Sequence, residues 1–465
     1  MSISETSAKG ERASYSAAAR LSSLPVVVRT QKIWCTLLGV LFAFDVVDIY
    51  SFSYAAPQLS QEWHLSLGDT AMATSVAFLG NFAGAIVGGR ISDRIGRKKT
   101  IIMAVMIFST FSLLTIVASS LPLLIVMRFF TGFGIQAMTG VLIVYVAEMF
   151  PQCARGRYQS MLLAIGLLGV PLAAWVARLV ISLGPGMWRW IFVFGSLGAI
   201  AGVVAIHALP ESVRWQSSMG YAAQANETVS ILESEAEAKI GGPLPTPSDP
   251  ASVQSGRLTE LLHGATARNL VVTCVGAILV GVGFFSVNAY IPTLLVQRGA
   301  STSHSLMLTS LFSLAAVPGA LLAWPIVDRI ERKHALFGTT IAVGTVMVVF
   351  GLANQSVLVL VSGFLLSMLL QTQTVFLYSY LPAVFPTHLR GVGAGTATGL
   401  GRVAVFGSGF VIAPLFATIG FGGYFITMAA VIILGGAVFG VFGISTTKRA
   451  LVENDAHLAG VGRED

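Results

Sequence analysis

Charged side chains are scarce in this chain of 465 residues: Asp, Glu, Lys and Arg make up 11%, where a soluble domain carries about 25%. With 55% hydrophobic residues and a mean hydropathy of +0.79, that scarcity excludes a water-soluble globule and leaves lipid as the main solvent. Cysteine is nearly absent. Cys35, Cys153 and Cys274 are the only three, each in or beside an apolar run, so no disulfide framework is expected. The seven histidines (His64, His207, His263, His304, His334, His388 and His457) fall at no metal-ligand spacing. No nucleophile motif accompanies them, so neither an enzyme nor a metal or other cofactor is expected. No cleavable signal is seen either: Met1–Arg29 is polar, rich in Ser and Ala, and reads as a disordered tail.

What is there is organised around Gly89-Arg90-Ile91-Ser92-Asp93-Arg94-Ile95-Gly96-Arg97-Lys98-Lys99. Five basic residues and an aspartate between two spanning-length apolar runs cannot lie in hydrocarbon, and their charge assigns the turn to the cytoplasmic side. Asp328-Arg329-Ile330-Glu331-Arg332-Lys333 repeats it 235 residues later (328 − 93). Phe150-Pro151-Gln152-Cys153-Ala154-Arg155-Gly156 and Phe385-Pro386-Thr387-His388-Leu389-Arg390-Gly391 share that offset (385 − 150). The chain is therefore a duplicated membrane protein.

Twelve apolar segments fit between residues 33 and 445. The expected layout is a cytoplasmic tail over 1–32, a six-helix half over 33–210, a cytoplasmic linker over 211–268, a second half over 269–445 and a cytoplasmic tail over 446–465. The linker holds a polar stretch suited to a surface helix (Tyr221–Lys239), then the Pro/Gly run Gly241–Pro247. Of the 28 Lys and Arg, only Arg128, Arg178, Arg189, Arg298 and Arg402 lie inside helices or on the presumed outer side. The rest sit in the tails and alternate loops, which places both termini in the cytoplasm. They gather on no soluble domain, so the net charge of +7 does not imply nucleic acid. The abundant glycines within helices read as close helix packing.

Gly-x-x-x-Asp-Arg-x-Gly-Arg-Lys after the second helix, half-repeated after the eighth, resembles the signature of the major facilitator superfamily. That resemblance implies an all-α fold of twelve transmembrane helices in two pseudo-repeated halves. It also implies alternating access, a small-molecule substrate bound near the midplane between the halves, and a monomer in the plasma (inner) membrane. It makes Gly89, Asp93, Arg94, Arg97, Glu148 and Arg155 gating residues, Glu148 needing a cation from Arg97 or Arg155. Pro210-Glu211-Ser212-Val213-Arg214 is similar to the Pro-Glu-Ser-x-Arg signature of sugar porters, adding Glu211 and Arg214. In the second half Asp328, Arg332 and Arg390 are the counterparts. Ala383 stands where Glu148 would repeat and Glu331 replaces the motif glycine, so the second latch should be weaker.

Charges inside the membrane are the sharper signal. Asp45 and Asp48 share a helix face, ~18 and ~22 Å from the inner surface. Arg128 lies level with them, and Arg402 near the midplane; each would cost a few kcal/mol facing lipid. A buried ion-pair network is the structural alternative, a poor source of stability. Asp-x-x-Asp in the first helix, Arg128 in Arg-Phe-Phe-Thr-Gly-Phe-Gly and Arg402 in Gly-Leu-Gly-Arg resemble the aromatic acid:proton symporters and nicotinate-type carriers. Val46 or Val47 stands where that pattern has a glycine, and Gln136 where it has a proline. The resemblance implies import of a small organic acid with protons; sugar or polyol symport and drug or metabolite efflux are the alternatives. Asp45, Asp48 and Arg128 are the expected coupling residues. Arg402, with its planar fork for a carboxylate, is the expected substrate ligand. Tyr50, Gln136, Trp175, Arg178, Asn288, Tyr290, Gln371, Gln373 and Tyr378 are expected to line the pathway, though any one aromatic is more often packing or an interfacial anchor.

Overall fold

The computed structural model describes residue 12 and residues 15–247, 258–327 and 330–446, and every regular element among them is a helix. Helix is the form open to an apolar run in lipid, because each backbone N–H and C=O must find its partner within the segment. Among the described residues, eleven helices are long and apolar enough to span a membrane. The first ten are Arg29–Trp63, Leu67–Ile95, Arg97–Val117, Leu121–Met149, Arg155–Ile181, Trp188–Ala208, Thr266–Asn288, Thr302–Ala323, Arg332–Leu352 and Ser356–Ala383. The last, Arg390–Phe442, is broken at Gly420, whose φ of 66° and ψ of −172° no helix contains. That break divides it into the eleventh and twelfth spans, the number expected from the sequence. Several helices run beyond their apolar cores. The first begins at Arg29 rather than near residue 33, since a helix need not stop where the hydrocarbon does.

The chain forms two compact units. One comprises residues 1–51, 79–173 and 188–252, the other residues 52–78, 174–187 and 253–465. In the first, Gly80, Gly84 and Gly88 form a stripe along the second span. A Cβ on each would lie 2.0 Å from Phe129 O, 2.1 Å from Phe133 O and 2.7 Å from Ala137 Cα of the fourth span. Backbone thus rests on backbone, the small-residue packing that membranes favour.

The second unit gathers Phe312, Phe350, Phe421 and Phe425 into an aromatic core. Residues 52–78 and 174–187, from the ends of the first, second and fifth spans, belong to this unit, and Ala71 of the second span is buried in the same cluster. Tyr290 OH lies 3.0 Å from Ser75 Oγ and donates to Ala71 O at 3.0 Å. Thr302 Oγ1 reaches Gln61 Oε1 at 3.3 Å. Within this unit, helices from both sequence halves are therefore joined by hydrogen bonds.

The linker's surface helix runs Ala222–Ile240 and stops at Gly241, which takes the left-handed conformation (φ 77°) that suits glycine. The described part of the tail differs from expectation, residues 1–11 lying outside the described residues. Ala17–Ser22 is a helix capped by Ser16, and Leu21, Leu24, Val27 and Val28 are buried with Val229, Leu232 and Phe150. Aliphatic residues spaced among Ser and Ala are enough to dock this segment once the surface helix offers an apolar face.

Candidate functional site

In the first unit Asp48 is wholly buried. Arg128 Nη1 of the fourth span lies 3.5 Å from its Oδ2, and Ser112 of the third span donates to its Oδ1. The guanidinium also stands 6.0 Å from the Phe192 ring. Asp45, one turn earlier and 1% exposed, accepts a hydrogen bond from Thr139. The two carboxylates thus lie buried one turn apart on the first span, Asp48 held by Arg128 and Ser112 and Asp45 by Thr139. Ser112, Thr139 and Phe192 were not legible as partners. Gln136 and Tyr50 are half-buried on the fourth and first spans.

In the second unit Arg402 lies against two aromatic rings, its guanidinium carbon 4.8 Å from the Phe285 centroid and 5.9 Å from that of Phe78. The rings pack edge to face, 4.8 Å apart. Among the described residues no carboxylate pairs with Arg402, and its buried Nη1 has no hydrogen-bond partner. A cation left this way in a low-dielectric interior is costly, and a carboxylate laid flat against the rings would satisfy it. Gln373 is fully buried with both amide atoms unpartnered. Gln371 is 7% exposed, while Tyr378 is half exposed at 51%. Asn288 donates back to Phe284 O at 3.1 Å, and Tyr290 is engaged by Ser75 and Ala71 as above. Trp175 has a buried, unpartnered Nε1 and carries Arg178 at 5.1 Å over its ring. Arg178 lines a separate cavity of about 400 Å³ with Ile181, Ser182, Ser303, His304, Leu306 and Met307. None of the tenth-span residues borders that cavity.

At the basic end of the first unit, Arg97 makes a two-pronged bridge to Glu148: Nε to Oε2 at 2.9 Å and Nη2 to Oε1 at 3.1 Å. Ser212 donates to the same carboxylate at 2.5 Å. Arg97 Nη2 also reaches Asp93 Oδ1 at 3.1 Å. Of the two cations expected for Glu148, Arg97 takes it; the buried Nε of Arg155 has no hydrogen-bond partner among the described residues. Glu211 accepts the backbone N–H of Arg97 at 2.6 Å and of Lys98 at 2.9 Å, placing an anion on the positive end of the third span. Gly96 allows this: its φ is 104°, and a Cβ there would stand 2.3 Å from Glu211 Oε2. Gly89, Arg94 and Arg214 are exposed. A Cβ on Gly89 would meet nothing within 4 Å.

In the second unit Asp328 lies outside the described residues. Arg332 opens the ninth span, and exposed Arg390 opens the eleventh, donating to Phe385 O at 3.3 Å. Glu331 accepts from the N–H of Thr446 at 2.7 Å.

The sequence matches the family described as sugar (and other) transporter over residues 33–457. It is 36% identical to the putative metabolite transport protein YyaJ of Bacillus subtilis, over 86% of this chain and 90% of that one. It is 28% identical to the niacin transporter NiaP of Acinetobacter baylyi, over 93% of this chain and 98% of the relative. The 4-hydroxybenzoate transporter PcaK of the same organism is 26% identical over 86% and 88%. A crystal structure of a D-xylose-proton symporter superposes with a TM-score of 0.68, covering 90% of this chain and 98% of that one at 19% identity, a likeness of fold. The chain is a transporter, not an enzyme, and belongs to the sugar (and other) transporter family of the major facilitator superfamily.

Proposed function

We propose that this protein imports a small aromatic carboxylate together with protons, by alternating access, across the plasma membrane. The basic end and both termini face the cytoplasm, and the protein works as a monomer. The observation that carries the reading is Arg402: a guanidinium against two phenylalanine rings, with a buried, unpartnered Nη1. A planar fork beside aromatic faces matches a carboxylate on a flat ring. Relatives named for niacin and 4-hydroxybenzoate carry substrates of that kind.

The Asp48–Arg128 pair, with Asp45 one turn away, is the coupling device. A proton taken up by an aspartate weakens its hold on Arg128, and the freed arginine shifts the helices that carry it. The Tyr290–Ser75 and Tyr290–Ala71 bonds hold the outer end closed in this conformation and break when it opens. Arg97–Glu148, joined by Ser212, is the inner latch; it is closed in this conformation too and loosens when the cytoplasmic end opens.

The test is uptake into proteoliposomes with an acid exterior, offering labelled nicotinate, 4-hydroxybenzoate and xylose. Aromatic acids should enter in proportion to the gradient. Arg402→Lys keeps the charge and loses the fork, so affinity should fall about tenfold or more. Asp45→Asn and Asp48→Asn should lose gradient-driven uptake. Xylose uptake, unchanged affinity in Arg402→Lys, or full pH-driven uptake by both Asn variants would overturn the reading.

A further inference from the structure

The tail docked at the basic end is tied to the latch by more than apolar cover. Glu233 of the surface helix receives Arg12 Nε at 2.7 Å and Arg20 Nε at 3.2 Å, with Arg20 Nη2 on its other oxygen. The three side chains are only 8%, 9% and 11% exposed. Arg20 Nη1 donates to Asn226 Oδ1 at 3.0 Å and Arg12 to Pro245 O. Lys239 Nζ donates to Val27 O at 3.0 Å, and Thr30 N to Glu235 Oε2 at 3.2 Å. Two guanidinium groups on one buried carboxylate contribute little net stability but demand one geometry.

The other edge of the segment holds the turn between the fourth and fifth spans. Gln152 N donates to Ser22 O at 3.1 Å, and the Cys153 thiol to Leu24 O at 3.7 Å. Gln31, which accepts from Val28 N, donates to Met149 O at 2.9 Å. Met149 follows the latch acid Glu148 directly, and Gln152 and Cys153 lie between it and Arg155. One segment thus grips the surface helix on one side and the latch turn on the other.

We propose that residues 17–28 form a strap that positions the Glu148–Arg155 turn, with Glu233 as the positioning residue that fastens it. The strap sets how readily the Arg97–Glu148 bridge opens, and it ties the linker helix to the transport cycle. This rests on the latch role given to Arg97 and Glu148 above. Because the contacts are backbone carbonyls of the strap on backbone and thiol donors of the turn, loosening the strap frees the turn without removing any latch residue.

Cys153 is a native reporter. It is exposed, whereas Cys35 and Cys274 are buried, so a maleimide reads the strap–turn contact on purified full-length protein in detergent. Glu233→Gln keeps the shape, removes the charge and leaves two arginines unpaired. Labelling of Cys153 should quicken roughly tenfold, and the transport KM and Vmax should shift together. Glu233→Asp, which retains the carboxylate for long, flexible partners, should stay within about twofold. Should Glu233→Gln fail to fold, Asn226→Ala with Ser230→Ala, whose hydroxyl lies 3.5 Å from Arg20 Nη2, strips the side support of Arg20 and should quicken labelling about threefold. Unchanged labelling in a folded variant overturns the strap. Faster labelling with unaltered transport kinetics overturns the positioning role. Since labelling needs no substrate, failure of the strap is distinguishable from failure of the transport or latch reading.

Discussion

Gly84→Ala tests whether the second and fourth spans truly meet backbone to backbone. The added methyl would stand 2.1 Å from Phe133 O and 3.0 Å from Phe133 Cα. Ordinary contact begins near 3.4 Å, so the helices must part by roughly 1 Å, a gap that forfeits up to about half of each dispersion contact. Overpacking of this kind costs about 1–3 kcal/mol, and the better helix propensity of alanine offsets at most ~1 kcal/mol. Gly140 lies in the same fourth span, but a Cβ there would meet nothing within 4 Å, so Gly140→Ala keeps only the propensity gain. The pair should therefore differ by about 2 kcal/mol, Gly84→Ala being the less stable. Reversible unfolding in mixed micelles, followed by circular dichroism, measures the difference. Because Arg128 precedes Phe129 on the displaced face, transport should fall as well. If Gly84→Ala proves as stable as Gly140→Ala, the glycine stripe is not what holds these helices together and the reasoning fails.

Gly96→Ala adds a Cβ at a φ of 104° and 2.3 Å from Glu211 Oε2. It should displace that carboxylate from the Arg97 and Lys98 amides, cost about 1–3 kcal/mol and slow transport, as a thermal shift and an initial-rate assay would show. The Glu233 fastening should respond to acid. Burial pushes the Glu233 carboxyl up, but hydrogen bonds and charge from Arg20 and Arg12 outweigh it and hold the group below its ordinary value of 4.5. The freed tail thus binds more protons than the docked one, so docking is at full strength above pH 4.5 and is lost as pH falls below it through the docked value. A spin label on Ala18→Cys in a Cys153→Ser background should turn mobile over that acid range and stay immobile at neutral pH.

Much of this architecture is legible in the chain because a bilayer tolerates so few solutions. An apolar run of spanning length must be a helix, and a charge within it must have a reason, which is why Asp45, Asp48, Arg128 and Arg402 stand out. Their neutral partners do not. Thr139 also bonds Ile135 O at 3.0 Å, the habit of any threonine in a helix, and nothing along the chain marks its hydroxyl as reaching Asp45. Phe78 and Phe285 are two among 28 phenylalanines. Arg20 meets Glu233 across 213 residues, and no local pattern announces such a pair. Tyr290 reads as a pathway residue from its polar tip, yet that tip is bound to Ser75 and Ala71. Only the fold brings those groups to it.

The duplication carries one further consequence at the basic end. Gly96 and Glu211 of the first half correspond to Glu331 and Thr446 of the second, both offsets being 235 (331 − 96 and 446 − 211). Each half closes this junction by setting a carboxylate on backbone N–H, but the acid has crossed over. In the first half it comes from Glu211, after the sixth span, and caps Arg97 and Lys98 at the start of the third. In the second it comes from Glu331, at the start of the ninth span, and holds Thr446 after the twelfth. The junctions use the same kind of contact but differ in reach. Arg97, capped by Glu211, grips Glu148, and Ser212 grips it too, so the first junction binds the fourth span as well. At the equivalent position of the tenth span stands Ala383, which offers no charge to grip. A movement of the fourth span is therefore felt at its junction, while one of the tenth span has no such path through position 383. The first junction reaches the fourth span because its acid, Glu211, lies across from the helix it caps, leaving Arg97 and Ser212 to hold Glu148.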